Sequence, residues 1–535
     1  MPAARSAARA RGAAGLRVPL AVLGLVMGLA AWVLLHAGRR TTFFQDDWNF
    51  TLQRFRWAPY DLLHPHNEHL SAVPVFIWKV LLETVGLDDY AVFRGALVVA
   101  VLGLGLLVFA YARRRVGDWP AIALAACLML MGPAAPDLIW AFQIGFVISM
   151  AAGVGVLLAF DRQSRRADAL ACALLAVALG SSSLGVPILL AAIVEVAARP
   201  DRRARWWIPA VPLVLYVAWY LRYGLPSAKA SNIPEIPGWI VHAADDAAGA
   251  LTGLGPTYGA FLVLLLAFFL ARALAGTLRP SPRLLALVAL PLSFWAATAL
   301  ARAGSPTSPG DPRYLLPGGL FLGLLAVELA RGRVPRGRAT ALLTIVLAAG
   351  AVTGAHGLRG EGGRLRAEAA KAQGSLAALE LAGTDRVAFD FVPSLTQGDQ
   401  LLAGRYETAL REYDGSPAWP LGELPGAPPT VRAEFDEALR RILQPTVVAA
   451  PGGEPDRCSP AEGQSEVEVP PEGLVVRAGD ATVEVRLRRI GDAFPAAVTA
   501  EVEGGSAGLL RIEPDRLPVP WRAQLRAEGT FEVCG

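Results

Sequence analysis

Long apolar segments are the feature of this sequence that most restricts its fold. Residues 19–37 and 96–112 are almost wholly apolar and approach the roughly 20 residues that a helix needs to cross a bilayer. A helix in a soluble core does not need this length. Hydrophobic residues make up 54% of the 535 positions and charged residues 18%, a balance that is rare in soluble proteins of this size. The sequence therefore predicts a polytopic α-helical membrane protein.

Apolar stretches recur along two thirds of the chain, and they predict about eleven spans. Two of them are short and are joined by Gly180–Ser183, so they form either a tilted pair of spans or a re-entrant hairpin. The stretches cover residues 18–37, 90–112, 119–135, 138–160, 168–180, 184–198, 206–222, 257–275, 284–301, 314–330 and 339–355.

Arginine clusters lie in every second loop between these stretches. Because cytoplasmic loops carry an excess of Lys and Arg, the clusters place the amino terminus in the cytoplasm. The loop at residues 38–89 and everything after about residue 356 are then outside. We expect a multi-pass protein of the plasma (inner) membrane with an extracytoplasmic C-terminal region. The clusters are Arg113–Arg115, Arg162 with Arg165 and Arg166, residues 199–205, Arg272 with Arg279 and Arg283, and residues 331–338.

The basic residues also bear on two other interpretations. Arginines precede the first apolar run, as in a signal peptide, but no A-x-A cleavage site stands before Gly38, which favours an uncleaved first span. The net charge of +4 comes from these scattered clusters and not from a basic stripe on one domain. We therefore expect membrane lipid, and no nucleic acid, among the partners.

The chain after the last apolar stretch has a different character. We predict a transmembrane domain at residues 1–356, an α/β segment at 357–445 and a small β-sandwich-like domain at 446–535. In the α/β segment, a Glu/Ala/Arg-rich run predicts a helix and Val387–Val392 predicts a buried strand. In the last domain, Val483, Val485 and Leu487 alternate with charged residues, which is typical of an antiparallel strand with one buried face.

Four cysteines divide between the two regions. Cys127 and Cys172 lie inside apolar stretches, whereas Cys458 and Cys534 lie in the extracytoplasmic tail, where a disulfide is able to form. On the chain-entropy model, such a bond would stabilise the tail by roughly 4 kcal/mol. The alternative is two free thiols.

The first outer loop concentrates polar residues at the membrane face. Asp46 and Asp47 follow the first span within about ten residues. A carboxylate near the low-dielectric interface becomes more basic through desolvation, which suits a general base. The alternative is that the adjacent aspartates solvate or cap the start of a helix.

Three of the six histidines lie in the same loop, in the sequence His64-Pro65-His66-Asn67-Glu68-His69. The spacing lacks the HExxH pattern of a helical metal site, so His66, Glu68 and His69 are better interpreted as hydrogen-bond partners of a polar substrate. We expect no resident metal. A divalent ion held by Asp46, Asp47 and His66 to bridge a phosphate stays an open alternative.

Further charged and polar residues reach the same predicted outer face. Asp137 and Gln143 flank one outer turn, and Arg302, Arg313 and Tyr314 bracket another. Arginines at an outer interface need an anionic partner, which a lipid-linked phosphate would supply. The alternative is that these arginines snorkel to lipid headgroups.

The combination of these features resembles the GT-C superfamily of integral membrane glycosyltransferases. The likeness lies in the topology, the acidic pair Asp46-Asp47-Trp48, the long first outer loop and the pair Arg313-Tyr314 opening a late span. The stretch from Pro65 to Ser71 is similar to actinobacterial members. Such enzymes use polyprenyl-phosphate-linked sugars as donors.

The resemblance implies roles for particular residues. One Asp of the pair would deprotonate the acceptor hydroxyl, in an inverting transfer to a cell-envelope glycan, a glycolipid or a protein. Arg302 and Arg313 would contact the donor phosphate. The remaining candidates for sugar or acceptor contacts are His66, Glu68, His69 and Tyr314.

Two other functions fit a polytopic chain. A transporter or flippase of a lipid-linked or polar substrate would place charges at the midplane, whereas Glu195 and Glu328 lie near predicted cytoplasmic ends and no inverted repeat is visible. A non-catalytic cell-envelope scaffold would not need Asp46 or Asp47. An enzyme requires at least one of these carboxylates.

Overall fold

The computed structural model of the protein describes residues 2–276, 280–332, 337–383, 386–450 and 457–534. Within these ranges, eight helical segments are long and apolar enough to cross a membrane. This finding confirms the predicted polytopic helical membrane protein. The segments are Arg17–Ala37, Tyr90–Val116, Asp118–Ile139, Ala141–Phe160, Pro256–Ala275, Pro282–Arg302, Pro312–Leu329 and Thr340–Ala382.

The described helices follow one another through most of the chain. The first ten are α1 Pro2–Ala37, α2 Asp47–Leu52, α3 Pro59–Leu63, α4 Ala72–Val85, α5 Tyr90–Val116, α6 Asp118–Met129, α7 Ala135–Ile139, α8 Ile144–Phe160, α9 Arg165–Ser181 and α10 Gly185–Ala197. The others are α11 Arg202–Arg205, α12 Trp207–Tyr223, α13 Ile236–Thr252, α14 Pro256–Ala275, α15 Pro282–Arg302, α16 Pro312–Leu329, α17 Arg338–Ala382, α18 Ala403–Glu412 and α19 Pro429–Leu443.

The two short apolar stretches form the separate helices α9 and α10, of 17 and 13 residues. A tight turn joins them. A Cβ atom at Gly185 would lie 2.5 Å from the backbone nitrogen of Leu179, so only glycine fits there. Thirteen residues of helix span about 20 Å, which is less than the thickness of the hydrocarbon core.

Helix α13 is absent from the predicted stretches. Its sequence contains His242, Asp245 and Asp246, which interrupt the apolar pattern. The opposite face is nevertheless buried, with Ala243, Ala247 and Leu251 packed inside. These residues recur every four positions, so the helix buries an apolar stripe without being apolar overall.

The chain divides into two compact units. The first contains residues 1–39, 56–81 and 91–364, and the second contains residues 40–55, 82–90 and 365–535. The first unit holds most of the apolar helices. The second brings the start of the first outer loop and a short segment before α5 together with the C-terminal region.

The segment before the β-domain is helical, and the strand predicted at Val387–Val392 is wrong. These residues form a turn, and the side chain of Phe389 is 63% exposed. Helix α19 supplies the buried face instead, through Val431, Phe435 and Leu439. The apolar run at 387–392 is too short for its pattern to distinguish a strand from an irregular segment.

Seven strands form the described part of the C-terminal domain, residues 446–450 and 457–534, which confirms the predicted β-rich region. Val483, Val485 and Leu487 are fully buried, as their alternation predicts. All pairings are antiparallel, and β7 changes partner along its length from β4 to β3. The strands are β1 Thr446–Ala449, β2 Cys458–Val469, β3 Leu474–Ala478, β4 Val483–Arg488, β5 Ala500–Val502, β6 Ala507–Arg511 and β7 Trp521–Cys534.

Two contacts tie this domain together. Cys458 and Cys534 face each other across β2 and β7 and form a disulfide, as predicted. The carboxylate of Asp436 on α19 accepts hydrogen bonds from the backbone N–H groups of Arg489, Ile490 and Gly491. Helix α19 is thereby fixed to the turn that follows β4.

Candidate functional site

Asp47 is a fully buried carboxylate at the start of α2, with 0% of its surface exposed. Its Oδ2 accepts a hydrogen bond of 2.9 Å from the backbone N–H of Phe44 and one of 2.7 Å from the hydroxyl of Tyr90. The rings of Phe43 and Trp48 pack against each other and are buried as well. These contacts fix the Asp47 side chain in one orientation.

Asp46 differs from its neighbour because its side chain is only half-buried. Its Oδ1 accepts a hydrogen bond of 2.9 Å from Nε2 of Gln400. Asp46 directly precedes α2, and Gln45 before it has a φ of 44°. This uncommon left-handed conformation marks a sharp turn directly before the acidic pair.

A glutamine from the C-terminal region holds the same turn. Oε1 of Gln397 accepts hydrogen bonds from the backbone N–H of Gln45, at 2.7 Å, and from Nε1 of Trp48, at 3.2 Å. Gln397 is 3% exposed. The acidic pair, Gln397 and Gln400 therefore form one group within the second unit.

A separate group of polar side chains lies in the first unit. Glu68 forms an ion pair with Arg302 at the end of α15, and Nδ1 of His69 hydrogen-bonds the hydroxyl of Ser183 in the α9–α10 turn. Nε2 of His69 lies 3.8 Å from Oε1 of Glu68. The structure thus joins the first outer loop to two other loops through a His–Glu–Arg–Ser cluster.

The cluster's electrostatics fix the charges of two of its members. Burial lowers the pKa of His69 to about 4, so this side chain is neutral at neutral pH. Burial alone would raise the pKa of Glu68, but the combined opposing effects, which include the charge of Arg302 and its hydrogen bond, lower that pKa below its usual value. Glu68 is therefore an anion paired with the cation Arg302.

His66 is placed differently from His69, although the two backbones pair as a tight bridge with N···O distances of 3.0 and 2.9 Å. Asn67 at the tip has a φ of 50°. The His66 ring is 5% exposed, packs at 5.0 Å from the ring of Phe142, and approaches Nδ2 of Asn67 at 3.2 Å. The bridge thus turns the two imidazoles toward different neighbours.

Arg313 and Tyr314 open α16. The Arg313 guanidinium lies 3.2 Å from Asp311 and 5.4 Å from the centre of the Tyr314 ring, and its side chain is 45% exposed. Tyr314 is buried against Phe294. The charges of Arg302 and Arg313 both contribute to the low pKa of His69, which places the two guanidinium groups around the same cluster.

A metal site needs several ligand side chains close together. Among the described residues, the one group of three His, Cys, Asp or Glu side chains with ligand spacing is Cys458, Glu532 and Cys534. The disulfide already uses both sulfur atoms of this group. Asp46 and Asp47 lie in the second unit and His66 in the first.

Comparisons with known proteins give a distant structural likeness. No protein-family model matches the chain, and no curated protein matches it. Two solved structures of ArnT from Cupriavidus metallidurans, one bound to undecaprenyl phosphate and one in the apo state, superpose with a TM-score of 0.46 at 14% identity. They cover 71% and 73% of this chain, and 84% of the ArnT chain. A likeness of this degree does not assign a family.

Sequence reasoning missed three members of the two groups. Gln397 and Gln400 lie more than 340 positions from the acidic pair, and Ser183 lies 114 positions from His69. The available signal was weak. Gln397-Gly398-Asp399-Gln400 is a polar run with glycine, and Ser181-Ser182-Ser183 is a polar interruption between two apolar helices.

Proposed function

We propose that the protein is a membrane glycosyltransferase of GT-C type. It would move a sugar from a polyprenyl-phosphate donor to an extracytoplasmic acceptor, namely a cell-envelope glycan, a glycolipid or a protein. The observation that carries the proposal is the division of the acidic pair into a buried carboxylate, Asp47, and an accessible one, Asp46. A scaffold would not need two adjacent carboxylates held in such different surroundings.

Asp46 is the better candidate for the base. A base must reach the proton that it removes, and the Asp46 side chain is half exposed whereas Asp47 is not exposed at all. Asp47 already accepts hydrogen bonds from Phe44 and Tyr90. We therefore assign Asp47 as a positioning residue that fixes the turn carrying Asp46.

The proposed reaction is a single displacement. The acceptor hydroxyl oxygen attacks the anomeric carbon of the donor sugar while its proton moves to the carboxylate of Asp46. The bond between the anomeric carbon and the phosphate oxygen breaks, and its electron pair leaves with the lipid phosphate. Attack from the face opposite the leaving group inverts the anomeric configuration.

The cluster in the first unit suits the donor phosphate. Arg302 and Arg313 offer guanidinium groups that bind phosphate with paired hydrogen bonds, and both remain partly exposed. Glu68 orients Arg302 through its ion pair. Neutral His69 with Ser183 offers hydrogen bonds to sugar hydroxyls without adding charge. His66 and Tyr314 would line the same region as buried supports.

The proposal is tested by offering the purified protein in nanodiscs a panel of radiolabelled polyprenyl-phosphate sugars with a cell-envelope extract as acceptor. We expect transfer from at least one donor, and an anomeric configuration in the product that is inverted relative to the donor. Labelled lipid that crosses the bilayer of proteoliposomes without any transfer would instead establish the transporter or flippase. Retention of configuration would contradict the single displacement.

A further inference from the structure

An open cavity of about 690 Å³ lies in the first unit, apart from the residues assigned to sugar transfer. It is formed where α5 and α8 end and where α9 and α15 begin. By the arginine rule this is the predicted cytoplasmic end of the helices. The cluster of Glu68, His69, Ser183 and Arg302 lies at the opposite ends of α9 and α15, so the cavity calls for its own explanation.

The lining of the cavity is rich in cations. Among the described residues, six arginines and four carboxylates line it, so positive charge is in excess. The arginines are Arg115, Arg165, Arg199, Arg205, Arg283 and Arg331, and the carboxylates are Asp161, Asp168, Glu195 and Asp201.

Two buried arginines of this lining, Arg115 and Arg283, belong to a continuous ion-pair network that also contains Glu328, which does not line the cavity. Nε of Arg115 lies 2.6 Å from Glu328, and Nε of Arg283 lies 2.8 Å from Glu195. Both guanidinium groups also approach Asp161 at 3.2 Å. The network joins α5, α10, α15 and α16. Within it, the carboxylates of Asp161 and Glu195 are paired with arginines.

One nitrogen of the Arg205 guanidinium donates no hydrogen bond within the described residues. Its side chain is 6% exposed, and it pairs with Asp168 at 3.2 Å and with Asp201 at 3.0 Å. Its Nη1 atom is buried and has no hydrogen-bond partner among the described residues, and the same holds for Nε of Arg199. A buried donor without a partner is costly, and a bound anion would satisfy it.

Two helix N-termini contribute to the same rim. Helix α9 begins after Ser164 and α15 after Ser281, and both serines line the cavity with the first residues of their helices. These helices have 17 and 21 residues. Their N-termini carry partial positive charge and favour an anion at this position.

Aromatic residues next to the cavity indicate its depth in the bilayer. Trp206 and Trp207 directly follow Arg205 and are 40% and 42% exposed. Tryptophan concentrates at the level of lipid headgroups. Basic pockets between membrane helices at this level bind anionic lipid headgroups.

We propose that this cavity binds the phosphate group of an anionic phospholipid headgroup, with Arg205 and Arg165 as its donors. Arg165 stands in the first turn of α9, is exposed and lines the cavity. Arg205 provides the buried donor. The phosphate of a lipid is favoured over free phosphate because the exposed tryptophans place the cavity at headgroup depth.

The test is titration of the delipidated full-length protein in detergent with dioleoyl phosphatidylglycerol, dioleoyl phosphatidylcholine and inorganic phosphate, followed by native mass spectrometry. We expect phosphatidylglycerol to bind at least about tenfold more tightly than either of the others. Arg165→Gln and Arg205→Lys should each weaken that binding about tenfold, since the first removes a charge-assisted donor and the second removes the paired donors of a guanidinium. Arg205→Lys keeps the positive charge but loses the planar fork of donors.

The matched control is Arg166→Gln, which removes an exposed arginine beside Arg165 that does not line the cavity. Its affinity for phosphatidylglycerol should equal that of the wild type. Equal affinity in the wild type and both test variants would overturn the proposal. Inorganic phosphate binding as tightly as phosphatidylglycerol would overturn the assignment to a lipid.

Discussion

Two adjacent aspartates with unequal surroundings are the central feature at the scale of single residues. The structure distinguishes Asp46 from Asp47, whereas their adjacency in the sequence does not. The difference comes from Tyr90, Gln397 and Gln400, which approach from distant parts of the chain. A local pattern therefore locates the pair, and only the tertiary contacts suggest separate roles.

The hydroxyl of Tyr90 provides a test of the positioning role of Asp47. Tyr90→Phe removes the 2.7 Å hydrogen bond to the buried carboxylate and keeps the ring. A buried acceptor that loses its hydrogen-bond partner costs roughly 1–3 kcal/mol, so the second unit should lose about that much stability. Thermal unfolding of the purified protein measures the change. Tyr60→Phe, at an exposed tyrosine, should leave the midpoint unchanged, and equal midpoints for both variants would refute the role.

His69 predicts a dependence of stability on pH. Its pKa is about 4 in the folded protein, below its value of about 6.5 in an unfolded chain. Between these values the unfolded chain binds more protons, so the contribution of His69 is complete above pH 6.5 and is lost as pH falls toward 4. The loss of thermal stability between pH 7.5 and 5 should be smaller in His69→Gln than in the wild type. An equal loss in His69→Gln and in the wild type would contradict this prediction.

At the scale of elements, some local patterns predicted the structure and others did not. The alternation at Val483–Leu487 predicted a strand because neighbouring strands bury one face. Val387–Val392 has a similar composition but lies in a turn, where no partner strand pairs with it among the described residues. Strand formation depends on pairing partners, which a short segment does not encode.

The missed helix α13 illustrates a second limit. Average hydropathy identifies helices that face lipid, as in α14, where most of the surface is exposed. Helix α13 packs against α14 and α16 and carries acidic residues that reduce its average hydropathy. A search for an apolar stripe at helical spacing would have found Ala243, Ala247 and Leu251.

The disulfide is expected to stabilise the β-domain. The bond between Cys458 and Cys534 joins residues 76 positions apart, and a loop of that size corresponds to roughly 4 kcal/mol on the chain-entropy model. Replacing both cysteines by serine should make residues 457–534 the first part of the chain to be cleaved in limited proteolysis. Cys172→Ser, at a free thiol, should leave the cleavage pattern unchanged. Equal protection in both variants would contradict the prediction.

At the scale of the whole molecule, the apolar segments and the arginine clusters predict how the chain crosses the membrane. The structure confirms the multi-pass helical character, because the part of the chain that it describes contains eight helical segments of sufficient length and hydropathy. The orientation stays a prediction of the arginine rule. The disulfide in the tail is consistent with an oxidising, extracytoplasmic compartment.

Reporter fusions test that orientation. Alkaline phosphatase fused after Cys534 should be active, because that enzyme requires the oxidising side of the membrane. The same reporter fused in the loop between α10 and α12, at the arginine cluster of residues 199–205, should be inactive. Activity in the loop fusion and none in the C-terminal fusion would reverse the predicted topology.

The most direct test of the account is the rate of sugar transfer by Asp46→Asn in nanodiscs, with a donor that the wild type uses. Loss of a base should lower kcat at least about 100-fold while the thermal midpoint stays that of the wild type. Asp399→Asn, which removes an exposed carboxylate between Gln397 and Gln400, should transfer at the wild-type rate. Transfer by Asp46→Asn at the rate of Asp399→Asn would contradict the assignment of Asp46 as the base.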